Sequence, residues 1–437
     1  MEFFKKRDVF IVSTAIAVLT AGVFFILAIK IFFATQTRTA LENQNNALAP
    51  IASDVPLLPP SPSPLPSPIA PLPPLPPPAK LKNPPEIIKA VYITGWSAGS
   101  QSYLNYLTNL FETTEINAVV IDIKDYSGLV SYASGAPDAV KYNLYSYAIS
   151  DIDSLVRFFH DKNIYVIGRI SVFEDPAYAK ARPELAIYDK EKDKEKTEDF
   201  QLNNSMELFN TLWKDNKGLL WLDPASKEVW DYNIAFAEDA FYHGFDEINF
   251  DYVRFPSDGK TENMGFPVWD EKNSMSEVIK EFFLYLRNEL EGKKISVDLF
   301  GQTTINRDDM GIGQILENAF EYFDYISPMI YPSHYASGFA GFVNPAEHPY
   351  EVVKYSLDSA VLRENDFFGL SSVTESNNKI FKFRPWLQDF DLGADYTAEM
   401  VKQEIQATQD ALGTDYKGFM LWSPSNIYTQ GAILKFE

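Results

Sequence analysis

Residues 244–257 read Gly-Phe-Asp-Glu-Ile-Asn-Phe-Asp-Tyr-Val-Arg-Phe-Pro-Ser, and this stretch decides the fold. Ile248, Phe250 and Tyr252 fall on one face of an extended chain, and Glu247, Asn249 and Asp251 fall on the other. The spacing predicts a buried strand with one apolar face and one carboxylate-bearing face, and the second face has to line something wet. Pro256 cannot donate to a ladder, so the strand stops ahead of it. Asp251 is thereby delivered at the C-terminal end of a strand that follows a helix, which is where α/β enzymes place their chemistry.

Working outward from this strand, the pattern predicts strands at 89–95, 117–124, 164–171, 245–252, 294–300, 325–331, 383–388 and 418–423. Helical periodicity fills the gaps at 102–115, 152–162, 226–243, 274–291, 345–362 and 397–412. Asp151, Asp223 with Pro224, and Thr397 ahead of Glu399 supply helix starts. Eight strands alternating with helices predict an α/β fold, a (β/α)8 TIM barrel. A doubly wound sheet would alternate in the same way, but no Gly-x-Gly-x-x-Gly follows the first strand. The longest excursion, 172–222, holds the charge run 189–199, which reads as a solvated loop on the catalytic face. Trp213 and Trp221 in this excursion are candidates either for a cleft wall or for core packing.

In a barrel, outward residues pack on helices and inward residues near the mouth can be polar. Strand two divides into Val119, Ile121, Ile123 against Val120, Asp122, Lys124. Strand three divides into Val166, Gly168, Ile170 against Ile167, Arg169, Ser171. Strand five divides into Ile295, Val297, Leu299 against Ser296, Asp298, Phe300. Strand seven divides into Phe383, Pro385, Leu387 against Arg384, Trp386, Gln388. Tyr92, Thr94 and Trp96 share a face of strand one, as do Met420 and Trp422 on strand eight.

The chain has 437 residues and a net charge of -22, which argues against nucleic acid as a partner, since that needs a basic face. It has no cysteine, so disulfides, thiolate metal sites and a Cys nucleophile are excluded. The histidines His160, His243, His334 and His348 show no metal-ligand spacing, and the sequence calls for no metal or cofactor. Lys5, Lys6 and Arg7 precede an uncharged apolar run from 9 to 29, long enough to span a bilayer at about 20 residues. The basic cluster sets residues 1–8 in the cytoplasm, a transmembrane anchor at 9–33 and the remainder outside the cell membrane. A cleaved signal peptide is the competing reading, although its apolar region would be shorter, about 7–15 residues. Residues 34–85 form a disordered, proline-rich stalk holding more than half of the chain's 28 prolines. Polyproline II over 50–85 would extend that part to about 100 Å. The barrel then occupies 86–437.

Asp251 and Asp298 end adjacent strands and both point inward. Glycoside hydrolysis needs two carboxyls across the scissile bond, about 5–5.5 Å apart for retention and about 6.5–9.5 Å for inversion. In the retaining version Asp251 is the nucleophile, with Arg254 as its charge partner, and Asp298 is the acid/base near Phe300. Asp122 and Lys124 can bind sugar hydroxyls, and Arg169 and Asn249 lie at the same mouth. Trp96, Tyr331, Trp386 and Trp422 can stack on sugar faces. His334, Gln388 and Asn426 supply neutral donors and acceptors. Glu174, Asp223 and Asp389 are rival carboxyls.

Segments 91–96 (Val-Tyr-Ile-Thr-Gly-Trp), 120–125 (Val-Ile-Asp-Ile-Lys-Asp), 175–183 (Asp-Pro-Ala-Tyr-Ala-Lys-Ala-Arg-Pro), 221–224 (Trp-Leu-Asp-Pro), 248–256 and 326–334 (Ile-Ser-Pro-Met-Ile-Tyr-Pro-Ser-His) resemble the motifs of a family of TIM barrels. Its members are assigned to the glycoside hydrolases and known as a domain of unknown function. The resemblance covers nearly all of 86–437 and implies a (β/α)8 fold acting on a glycan. The acid ending strand four resembles the nucleophile of α-amylase-like and α-galactosidase-like barrels, which falls on Asp251. The amylase-like pattern places its partner on strand five, at Asp298, where that pattern usually has Glu. The galactosidase-like pattern places it on strand six, where this chain has no late carboxylate. The expectation is a membrane-anchored glycosidase; the alternative is a non-catalytic glycan-binding barrel on a stalk.

Overall fold

The computed structural model describes residues 76–194, 211–369 and 382–435, all within the compact unit Pro74–Glu437. The expected anchor and most of the stalk lie outside the described residues, as do residues 195–199 of the charge run. Among the described residues no helix is long and apolar enough to cross a membrane.

Eight parallel strands close into a barrel. They are β1 (Ile88–Ile93), β2 (Ala118–Lys124), β3 (Tyr165–Ser171), β4 (Glu247–Asp251), β5 (Ile295–Phe300), β6 (Tyr325–Met329), β7 (Trp386–Gln388) and β8 (Gly418–Trp422). Each strand pairs with its sequence neighbours, and β1 pairs with β8 to shut the ring. The outer shell includes α1 (Gln101–Thr113), α2 (Ile152–His160), α3 (Lys227–Tyr242), α4 (Met275–Glu289), α5 (Pro349–Phe368) and α6 (Ala398–Leu412). Between β5 and β6 the shell is built from 3-10 turns, Gly301–Thr304 and Leu316–Ala319.

Local chemistry explains these elements. Asp151 accepts from the Ser154 amide to start α2, whose buried Ile152, Leu155, Val156 and Phe159 form one stripe. Ser274 and Glu277 make a reciprocal capping box at α4. Thr397 caps α6 as expected. The expected cap at Asp223 is replaced by Ser226 at the start of α3. Asp223 instead accepts from the amides of Ala225, Val268 and Trp269, tying two loops together.

The alternation expected from sequence separates two cores. Val119, Ile121, Ile123, Val166, Ile170, Ile248, Phe250, Ile295, Val297, Leu299, Phe383 and Leu387 pack outward with the helices. Tyr92, Val120, Ile167, Trp386 and Met420 fill the barrel. Two positions break the alternation. Tyr252 adopts φ +55°, a left-handed turn that costs a non-glycine residue roughly 1–2 kcal/mol. The turn takes it off the strand and sets its ring 5.8 Å from Trp221. The register of β2 against β3 also slips between Asp122 and Lys124, so Lys124 pairs with outward-facing Ile170.

Polar groups also lie low in the barrel. Glu247 and Arg384 form an ion pair with both side chains fully buried. Ser296 Oγ and Tyr165 OH donate to the Glu247 carboxylate at 2.6 and 3.2 Å, and Arg384 lies over the Tyr325 ring. Beneath this layer the N-terminal segment crosses the bottom of the barrel. Arg157 Nη2 donates to Pro76 O at 2.7 Å and the Leu81 amide donates to Asp246 Oδ1 at 2.7 Å. Leu81 packs against the barrel interior. Pro78 lies so close to Gly244 (φ +88°) that a Cβ there would meet its carbonyl oxygen at 2.6 Å.

Breaking the Glu247–Arg384 pair from one side leaves a bare charge in the interior. Arg384→Met is expected to destabilise the barrel by about 3–5 kcal/mol, and pairing it with Glu247→Gln should restore part of the loss. Denaturant unfolding checks this; a single-variant loss below about 1 kcal/mol would show that the pair is not the constraint described.

Candidate active site

The site is built around one guanidinium. Arg169, late on β3, donates from Nη1 to Asp122 Oδ1 of β2 at 2.5 Å and from Nη2 to Asp251 Oδ2 of β4. Its Nε lies 3.7 Å from Asp298 Oδ2 of β5. Four neighbouring strands thus converge at the C-terminal mouth because register sets Asp122 beside Arg169 and Arg169 beside Asn249. Tyr92 of β1 donates to Asp122 Oδ2 at 2.5 Å. The Tyr252 amide donates to Asp251 Oδ1 at 2.5 Å, a bond the left-handed turn makes available.

Asp298 is only 1% exposed. Its Oδ1 accepts from Asn249 Nδ2 at 2.8 Å and from Trp386 Nε1 at 2.7 Å, and its Oδ2 takes no hydrogen bond from a described residue. Burial, then repulsion from Asp251, push its carboxyl well above the usual range, with Arg169 opposing. Burial also raises Asp122, again against Arg169. Two of the three carboxyls therefore hold protons more tightly than free aspartates do.

The sequence-derived candidates divide. Asp122, Arg169, Asn249, Asp251 and Asp298 form one network. Tyr331, His334 and Trp422 join Phe390 in an aromatic patch, with Tyr331 and Trp422 centroids 5.6 Å apart and Phe390 and Trp422 5.0 Å apart. Tyr92 links patch and network, with its ring 6.4 Å from Trp422. Burial lowers the His334 pKa, which favours the neutral imidazole. Trp96 stands on the rim, 64% exposed, in the single helical turn Gly95–Ala98 after β1.

Other candidates are corrected. Lys124 turns away from the mouth because of the register slip and is sealed in the helix shell, bonded to Asp175 at 2.6 Å and over the Tyr232 ring. Trp386 is buried and holds Asp298, so its face is not a sugar platform. Gln388 accepts from the amide and hydroxyl of Ser333 and donates to Phe390 O, which pins two rim loops. Asn426 accepts from the Thr94 amide and Ser97 Oγ and donates to Ser423 O, so it also serves as a clamp. Arg254 does not hydrogen-bond Asp251: it donates to Phe255 O and lies over the rings of Trp221, Tyr252 and Phe300 at 4.7–5.4 Å. Trp221, bonded through Nε1 to Asp215, and Trp213, bonded to Lys260 O, are both fully buried and pack in the core. Asp389 accepts from Thr429 and fastens the loop after β8. Tyr92 was not among the candidates, although its inward parity on strand one already placed it.

The family described as a putative glycosyl hydrolase domain matches residues 90–428. The chain belongs to this family. Solved structures similar to this family member include a hypothetical protein from Ruminiclostridium thermocellum ATCC 27405, 36% identical over 51% of this chain and 98% of that chain, with TM-score 0.40. The PgaB (BpsB) glycoside hydrolase domain from Bordetella bronchiseptica is 12% identical over 78% of this chain and 95% of that one, with TM-score 0.48. Alpha-L-fucosidase isoenzyme 2 from Paenibacillus thiaminolyticus is 12% identical over 79% of this chain and 48% of that one, with TM-score 0.48. No curated protein matches the chain.

The raised Asp298 carboxyl has a measurable sign. An acid whose folded pKa exceeds its unfolded value binds more protons in the native state, so it costs stability as pH rises past the unfolded value, about 3.9 for Asp. Asp298→Asn removes that cost. The melting temperature of the variant relative to wild type should therefore climb between pH 4 and pH 8; a difference that is flat with pH would show that Asp298 titrates like a free aspartate.

Proposed function

We propose that this family member hydrolyses a poly- or oligosaccharide by a two-carboxylate mechanism, with Asp251 as the nucleophile. The observation that carries the reading is the placement of Asp251 at the C-terminal end of β4, held by Arg169 beside two carboxyls whose pKa values are raised. One ionised and one protonated carboxyl are what glycoside cleavage requires. Asp251 attacks the anomeric carbon, the glycosidic oxygen leaves with its electron pair and a proton from a carboxylic acid, and water later releases the sugar from Asp251. Asp122 and Arg169 supply polar contacts to sugar hydroxyls. Trp422, backed by buried Tyr331, and Trp96 offer rings to sugar faces, and neutral His334 offers a ring nitrogen.

The same proposal places the enzyme on the cell membrane. The basic cluster at 5–7 and the uncharged run after it support a cytoplasmic segment 1–8, an anchor at 9–33 and a stalk at 34–85 presenting the barrel 86–437 outside.

On any glycan that wild type hydrolyses, Asp251→Asn should lower kcat/KM on the order of 10³-fold or more. Reducing-sugar release from a glycan panel, run with both proteins, checks this. An unchanged rate in the variant sinks the reading. Glycan binding that survives Asp251→Asn and Asp298→Asn, with no turnover by wild type, would favour a non-catalytic binding barrel instead.

A further inference from the structure

We propose that Glu174, on the rim just past β3, is the acid that protonates the leaving glycosidic oxygen, and that Asp298 is a positioning residue behind it. The inference rests on the glycosidase reading above and assigns its second carboxyl.

The backbone fixes where Glu174 stands. Ser171 pairs with Asp251 across β3 and β4. The ladder then runs on past both strands, with Val172 N to Asp251 O at 2.9 Å and Phe173 N to Tyr252 O at 3.3 Å. Ser171 Oγ donates to Glu174 O at 2.8 Å, and Glu174 bridges to Trp221. These bonds hold Glu174 just past the end of β3, paired with Trp221 and within electrostatic reach of Arg254, Asp251 and Tyr252. The residue is 5% exposed, and no described side chain donates a hydrogen bond to its carboxyl. Its carboxyl is therefore not engaged by a side-chain donor among the described residues.

Asp298 is placed otherwise. Asn249 and Trp386 occupy one of its oxygens, and Arg169 Nε lies 3.7 Å from the other. Asp298, 1% exposed against 5% for Glu174, is also the more deeply buried of the two. The charges around Glu174 also suit an acid. Burial and the carboxylates of Asp215 and Asp251 raise its pKa to about 8, against Arg254 and Lys217, which lower it. Tyr252 is the remaining titratable group beside it. A carboxyl with this value is protonated at neutral pH, as a general acid has to be.

In the step proposed, the bond from the anomeric carbon to the glycosidic oxygen breaks, and its electron pair goes to that oxygen. The oxygen takes the Glu174 proton as Asp251 forms its ester to the anomeric carbon. The resulting Glu174 carboxylate then removes a proton from the water that attacks the same carbon, which frees Asp251 and restores the acid.

The test compares wild type, Glu174→Gln, Asp298→Asn and Asp251→Asn on phenyl and dinitrophenyl glycosides of glucose, galactose, fucose and N-acetylglucosamine, and on oligosaccharides that wild type cleaves. Dinitrophenolate leaves without a proton, so it needs no acid for glycoside cleavage. Glu174→Gln should lose about 10²–10⁴-fold on phenyl glycosides and oligosaccharides, keep glycosyl transfer from dinitrophenyl substrates, and recover turnover with azide. Wild-type kcat/KM should fall above about pH 8, and that alkaline limb should vanish in Glu174→Gln. Asp251→Asn should fail on every substrate. If Glu174→Gln loses equally on both leaving groups, or if the leaving-group pattern and azide rescue belong to Asp298→Asn, the assignment is overturned while the glycosidase reading stands. If wild type turns over no glycoside, both fall.

Discussion

Three carboxyl groups at the mouth of this barrel share one guanidinium. Charges taken out of water need partners, and a buried Arg surrounded by Asp122, Asp251 and Asp298 can balance only one negative charge. Burial accordingly raises the pKa of Asp122 and of Asp298 against the opposing charge of Arg169. Tyr92, Asn249 and Trp386 exist in this arrangement as donors to the same carboxyls. Removing Arg169 would disturb four strands at once, because each contributes one member of the cluster. The architecture of the mouth thus follows from a local charge balance, with the strand register bringing the groups together.

A second polar layer lies below. Glu247 and Arg384 sit on the same inward faces as Asn249 and Trp386, one step nearer the barrel bottom, and there the charges match one to one. Two ionic layers on one set of strands therefore behave differently. The lower one is closed and neutral, which suits a structural brace. The upper one is unbalanced and carries titratable protons, which suits chemistry.

Much of this was legible in the chain. Side-chain parity along a strand has a period of two residues and is set locally, so it sorted Val119 from Asp122 and Ile248 from Asn249 without any tertiary knowledge. It failed where the backbone leaves the regular strand. Lys124 follows a register slip and Tyr252 a left-handed turn, and neither has a marker such as Gly or Pro at its position. A different kind of failure affected Gln388 and Asn426. Gln388 has the expected parity and Asn426 follows the last strand, but Ser333, Thr94 and Ser97 occupy their hydrogen-bonding groups, and those partners come from segments distant in sequence. The charge partner of Asp251 was misread for the same reason. Arg254 is near in sequence, yet Arg169, on the neighbouring strand, makes the bond.

The strap from Pro76 to Leu81 has a mechanical consequence. Its bonds run to Arg157 and Asp246, at the end of the barrel opposite the carboxyl cluster. Tension arriving through the residues ahead of Pro76 enters the fold there and spreads into β3 and β4 from their N-terminal ends, since Asp246 Oδ2 also accepts from the Val166 amide. The mouth lies at the far end of the load path. A pull on Pro76 would load the base of the barrel before the mouth.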